Sequence, residues 1–231
     1  MSILQCRNLS KKYGATEALR GIDLELEAGR IVGLLGPNGS GKTTFIKLAN
    51  GLLKPSEGEI LIDGNSPGKE TKAEVAYLPD RDFLPDYMSV SQLIKYYSDF
   101  FDDMNMAKAE EMLRSLDLDK DMKLKKMSKG TREKVQLILT MSRDAKVYFL
   151  DEPIAGVDPA ARDYILRTII TNYNPDALVV ISTHLIADVE NVLDEVVFIK
   201  EGKIVLHKEA DVIREEESKS IDGLFREVFK C

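Results

Sequence analysis

Strict alternation of apolar and polar residues marks the first part of the chain. Ile22-Asp23-Leu24-Glu25-Leu26 has the two-residue period of a half-buried antiparallel strand. Glu59-Ile60-Leu61-Ile62-Asp63-Gly64 repeats it and ends at a turn signal. Arg30 to Leu35 reads as a short buried strand, and Glu74 to Leu78 as another, stopped by Pro79. The period then lengthens. Ser89-Val90-Ser91-Gln92 is a capping box that opens a helix to about Phe101. Asn105 can cap a second helix, with Met106, Ala109, Met112, Leu113 and Leu116 at helical spacing. A third starts near Gly130 and sets Val135, Ile138, Leu139 and Ser142 along one side. Strand and helix alternate from there: Lys146 to Leu150, Pro159 to Thr171, Ala177 to Ser182. A hairpin follows, Val196 to Lys200 and Lys203 to Leu206 around Glu201-Gly202, and Ile221 to Phe229 reads as an amphipathic helix. The pattern predicts an α/β core from 1–80 and 144–231, with an antiparallel patch near its start. A helical insert at about 81–143 interrupts it. No repeat, low-complexity segment or linker divides residues 1–231. Tyr96, Tyr97, Phe100 and Phe101 are expected to be core of the insert.

Composition narrows the class. The chain has 231 residues, enough for one sizeable core. Its 31% charged and 44% hydrophobic content suits a soluble globular protein. A net charge of −7 argues against generic affinity for nucleic acid, so no nucleic-acid partner is expected. Cys6 and Cys231 lack metal-type spacing and read as reduced cytosolic thiols. No apolar signal-peptide core opens the chain, and its apolar runs are too short to span a bilayer. Any membrane role is therefore expected to come through a partner.

Candidate chemistry sits at three apolar strand ends. Gly36-Pro37-Asn38-Gly39-Ser40-Gly41-Lys42-Thr43 fits G-x-x-x-x-G-K-[ST] at every fixed position. A strand precedes it, and Thr44 continues into a helix. Glycines let backbone N–H groups face phosphate oxygens, and the helix N-terminus adds positive partial charge. Lys42 is expected to reach the β- and γ-phosphates of a nucleotide, and Thr43 to hold Mg²⁺. Val147 to Leu150 leads into Asp151 and Glu152; Asp151 is expected to hold Mg²⁺ and Glu152 to act as general base. Ile181-Ser182-Thr183-His184 ends a further strand, where His184 can contact the γ-phosphate.

The order of these parts resembles the ATP-binding subunit of an ABC transporter over nearly the full length. The look is similar to the small subunits of bacterial drug and antibiotic-peptide exporters. The resemblance implies a P-loop NTPase (RecA-like) core. Tyr13 stands where the family stacks an aromatic on adenine. Tyr77-Leu78-Pro79-Asp80 stands at its glutamine loop, and Met127-Ser128-Lys129-Gly130-Thr131 at its signature. Ala155-Gly156-Val157-Asp158 matches the D-loop, and His184 the switch histidine. By resemblance, two subunits, identical or different, sandwich two ATP molecules. Ser128, Gly130 and Asp158 then contribute across the dimer. Closure drives a separate integral-membrane permease at the cytoplasmic face of the cell membrane. The alternative is a soluble relative acting in assembly, translation or repair. A guanine-type switch is unsupported, since neither D-x-x-G nor N-K-x-D occurs.

Two departures from the family stand out. Asp80 replaces glutamine and can still reach Mg²⁺, bringing a third acid near Asp151 and Glu152. Lys129 and Thr131 replace glycine and glutamine of the signature. The basic run Lys123, Lys125, Lys126, Lys129, Arg132, Lys134 is expected to be a solvated face. Phe83, Leu84, Pro85, Tyr87 and Met88 are apolar for a connection and are expected to form the surface that receives a permease helix.

Overall fold

In this computed structural model, residues 2–216 and 219–230 are described; Cys231 lies outside them. The chain begins with β1 (Ser2–Tyr13), β2 (Thr16–Glu27), β3 (Ile31–Leu35), α1 (Lys42–Ala49) and β4 (Glu57–Ile62). Then come α2 (Lys69–Glu74), β5 (Val75–Leu78), α3 (Val90–Phe100), α4 (Met106–Ser115) and α5 (Lys129–Met141). The second half holds β6 (Val147–Asp151), α6 (Pro159–Asn172), β7 (Leu178–Thr183), α7 (Ile186–Val189), β8 (Glu195–Lys200), β9 (Lys203–Glu209), α8 (Ala210–Glu216) and α9 (Ile221–Phe229).

Two sheets result. β2-β1-β4 is antiparallel, and β5-β6-β7-β3-β8-β9 is parallel except for its last pair. Side chains of the large sheet alternate between two cores, as the pleat requires. Val32, Leu34, Val147, Phe149, Val180 and Val197 face α1 and the small sheet. Leu35, Tyr148, Leu150, Val179, Ile181 and Phe198 face the helical side. Phe149 and Phe198 are wholly buried, each contributing on the order of 1.5–3 kcal/mol. Because both faces are covered, β6 and β7 read as continuous apolar runs.

The helical segment between β5 and β6 begins as its capping signals dictate. The Ser89 N–H donates to Gln92 Oε1 at 2.9 Å, and Ser89 Oγ accepts from the Gln92 N–H at 3.3 Å. Asn105 Oδ1 accepts from the Lys108 N–H at 3.1 Å. α5 differs from its one-sided expectation: Val135 to Met141 are all buried, because it packs against α3, α4, α6 and β5 together.

The aromatic residues of α3 also depart from expectation. α3 buries Val90, Leu93 and Ile94, which leaves Tyr96 51% and Phe100 70% exposed. Their ring centroids lie 5.7 Å apart with the planes tilted by 32°. Tyr97 and Phe101 are half-buried rather than core, and the Arg143 guanidinium lies 3.8 Å over the Phe101 ring. β1 carries no sequence alternation because register shifts interrupt its pairing with β2, with Asn8 at φ 48° beside one of them.

Candidate active site

The carboxyl ends of β3, β7, β6 and β5 lie in a row, the place where open α/β sheets gather ligands. From β3 the chain enters the glycine-rich loop. A Cβ on Gly36 would stand 2.4 Å from the Ile199 carbonyl oxygen and 2.6 Å from Ser40 Oγ, so only glycine fits there. Gly41, at φ 114°, turns the loop into α1, whose first residue is Lys42. Lys42 Nζ donates to the carbonyls of Gly36 at 2.8 Å and Pro37 at 3.3 Å. It also lies 3.4 Å from Glu152 Oε1. Ser40 Oγ is buried without a partner among the described residues.

Asp151 ends β6 with no exposed surface. Its Oδ1 accepts from Ser182 Oγ at 2.5 Å and from Thr43 Oγ1 at 3.2 Å, while Oδ2 is buried without a partner among the described residues. Burial pushes this carboxyl above its ordinary range. The Ser182 and Thr43 hydroxyls pull it back, and the nearby Asp80 and Glu152 push it up again. Glu152 follows at φ 51°, uncommon for a residue with a Cβ. Its N–H is fixed to the Ser182 carbonyl at 3.0 Å and to Ser182 Oγ at 3.2 Å. That turn lifts Glu152 out of the buried strand. Its carboxylate then meets His184 Nδ1, at 3.0 and 3.1 Å from the two oxygens.

One cleft is lined by Ala18, Asn38, Gly39, Ser40, Gly41, Lys42, Thr43, Thr44, Asp80 and Glu152. It brings together most of the expected phosphate and metal residues. Oxygen donors from Thr43, Asp151 and Asp80 are the chemistry a hard divalent cation takes. Among the described residues, no three His, Cys, Asp or Glu side chains close into a metal cage. A cation here would thus be completed by other oxygens, such as those of phosphate.

Other expected residues lie outside this cleft. Tyr13, at the end of β1, is 47% exposed with the Lys11 ammonium 5.3 Å from its ring. Ser128 and Gly130 are exposed at the start of α5. Ser128 Oγ caps that helix, accepting from the Thr131 N–H at 3.2 Å. A Cβ built on Gly130 would point into open space among the described residues. Asp158 is exposed just before α6. A neighbouring cleft shares Asp80 and Glu152 and continues past Arg81, Glu133 and Gln136 to Lys129.

Two residues of the site were not singled out from sequence. Ala18 lines the cleft from β2 with no chemical signal. Ser182 stands in the polar end of β7, and that ending was its signal. The basic run also needs a correction. Arg132 is not on a solvated face: its side chain is 14% exposed and pairs with Asp82 and Asp86. Of the proposed docking residues, Phe83 and Tyr87 are exposed, but Leu84 is buried and Met88 half-buried in the helical core.

A family model described as ABC transporter matches residues 19–155. The chain is 30% identical over 214 residues to the SkfA peptide export ATP-binding protein SkfE of Bacillus subtilis (strain 168), spanning 89% of this chain and 88% of that protein. It is 28% identical over 212 residues to the lantibiotic transport ATP-binding protein SrtF of Streptococcus pyogenes, spanning 90% and 92%. A solved ATP-binding subunit of an ABC transporter superposes with a TM-score of 0.87 at 28% identity, over 99% of this chain and 100% of that one. Phosphate loop, strand-end acids and these likenesses agree, and the chain belongs to the ABC transporter family as an ATP-binding, ATP-hydrolysing subunit.

Proposed function

We propose that this subunit powers an exporter by ATP-driven closure of a dimer against a separate membrane permease, at the cytoplasmic face of the membrane. The observation that carries the mechanism is the contact of Glu152 with both Lys42 and His184 beside the phosphate loop. Lys42 exchanges its two carbonyl partners for β- and γ-phosphate oxygens when ATP enters. Loop N–H groups and the α1 N-terminus take the remaining phosphate charge. Glu152 accepts the proton of the attacking water, and His184 holds that carboxylate and the γ-phosphate in register. Tyr13, half in water, offers its ring to adenine.

Thr43, Asp80 and the unpartnered Oδ2 of Asp151 are the residues that would hold Mg²⁺. The cation, when bound, would neutralise phosphate charge.

Ser128, Gly130 and Asp158 are exposed and outside the cleft of their own chain. We assign them to the nucleotide of a second subunit, identical or different, which completes charge stabilisation only on closure. Residues 1–80 and 144–231 form the nucleotide core in this reading, and 81–143 the helical subdomain. Its exposed strip of Tyr87, Tyr96 and Phe100, with Phe83 nearby in sequence, receives the permease. Among the described residues no helix is long and apolar enough to cross a membrane. Peptides are the cargo favoured, because the relatives named above are a peptide-export and a lantibiotic-transport protein.

Glu152→Gln tests this reading. It keeps the shape and loses the base, so turnover is expected to fall about 10²–10⁴-fold. ATP affinity should stay, and size-exclusion chromatography with ATP and Mg²⁺ should show a trapped dimer. Unchanged turnover would remove Glu152 from the chemistry.

A further inference from the structure

Arg132 lies one residue past the signature stretch, and its whole guanidinium is spent on the segment that follows Asp80. Nε pairs with the Asp82 carboxylate, Nη1 donates to Asp86 Oδ1 at 2.5 Å, and Nη2 donates to the Leu84 carbonyl at 2.9 Å. One turn along α5, buried Gln136 donates to the Arg81 carbonyl at 3.2 Å. The same segment also bonds to the chain leading into α5. The Lys125 N–H donates to the Asp86 carbonyl at 3.1 Å, and the Leu124 N–H to the Met88 carbonyl at 3.0 Å.

We propose that Arg132 is a positioning residue for the ATPase reaction, locking the Asp80 segment to the signature helix so that both move as one body. Asp80 stands at the phosphate cleft, and Ser128 at the exposed start of α5. Phe83 and Tyr87 ride on the segment between them and Arg132. A displacement of Asp80 at the phosphates therefore reaches the signature end and the aromatic strip together. The consequence for closure rests on the dimer reading above; the lock itself does not.

The chemistry suits such a lock better than it suits stability. The two carboxylates are 37% and 73% exposed, and a pair with solvated carboxylates contributes little, about 0–1 kcal/mol. Here a planar fork engages two carboxylates and a carbonyl at once, which fixes geometry in a way an ammonium cannot. Asp82 is also drawn into a tight turn, its Oδ1 accepting from the Leu84 N–H at 2.9 Å. Burial raises the Asp82 carboxyl, but the Arg132 hydrogen bond and the N–H groups of Leu84 and Phe83 together hold it below the usual carboxylate range.

The test compares Arg132→Gln, Arg132→Lys, the pair Asp82→Asn with Asp86→Asn, and the triple variant with Arg132→Gln. In Arg132→Gln, kcat should fall at least about tenfold while KM stays within about threefold. Arg132→Lys should not rescue it. The Asn pair should show the same loss, and the triple variant no more than either parent. Hydrogen exchange of amides 82–88 should quicken about tenfold in Arg132→Gln, with β3 and β7 unchanged. If Arg132→Gln does not fold, the Asn pair carries the same comparison from the other side. A kcat within about twofold of wild type, multiplicative losses in the triple variant, or unchanged exchange at 82–88 would each overturn the lock. Failure of Glu152→Gln to dimerise with ATP would overturn the dimer reading, and the exchange measurement would still decide on Arg132.

Discussion

Ser182→Ala removes a single oxygen from the floor of the site, and the structure sets its cost. Ser182 and Asp151 are both without exposed surface, and the bond between them is 2.5 Å. A hydrogen bond to a charged partner contributes about 1.5–3 kcal/mol. The Glu152 N–H loses one of two acceptors but keeps the Ser182 carbonyl, so it adds little. The expected loss is therefore about 2–3 kcal/mol. At about 2–4 °C per kcal/mol for this size, the unfolding midpoint should drop about 4–12 °C. Ser142→Ala is the matched control: Ser142 is equally buried, but among the described residues its hydroxyl meets only the Met112 sulfur, at 3.7 Å. That change should cost under about 1 kcal/mol. Thermal unfolding of both variants in chelator, without nucleotide, decides the matter. Equal midpoint shifts for Ser182→Ala and Ser142→Ala would refute the assigned strength of the Asp151 bond.

Gly36→Ala should lower ATP affinity at least about tenfold, because its Cβ cannot coexist with the Ile199 carbonyl 2.4 Å away; a fluorescent-nucleotide titration checks this. Asp80→Asn should raise the Mg²⁺ concentration for half-maximal ATPase rate, since one carboxylate fewer faces the cation; superimposable Mg²⁺ curves would place Asp80 beyond its reach. Tyr87→Ser combined with Phe100→Ser should leave the unfolding midpoint within about 2 °C, because both rings are largely in water, yet abolish permease-stimulated ATPase activity.

How legible the molecule is from sequence depends on the range of each interaction. The phosphate loop is legible because its geometry is imposed by contiguous residues, Gly36 to Thr43, with a strand on one side and a helix on the other. Asp151 and His184 stand out as polar residues ending apolar runs. The tie from Ser182 to Asp151 does not, because it requires knowing that β7 lies beside β6. Arg132 hides for the same reason, its partners lying 46 to 50 residues away in the chain. Local periodicity misleads where it meets irregular pairing. β1 shows no alternation because its ladder with β2 slips. The α3 aromatics are apolar in composition, but Leu93 and Ile94 already fill the face that turns inward.

The sheet order also dictates when the site can exist during synthesis. Both neighbours of β3 in the ladder, β7 and β8, are made after residue 177. While residues 36–177 emerge, the strand feeding the phosphate loop has no partner to pair with. At about 5–20 residues per second, that interval lasts roughly 7–30 s. For all of it, Ile31, Val32, Leu34 and Leu35 present an unpaired apolar edge, the kind of surface chaperones hold. A ribosome stalled before residue 178 should therefore display a chain that binds no ATP, however complete its glycine-rich loop.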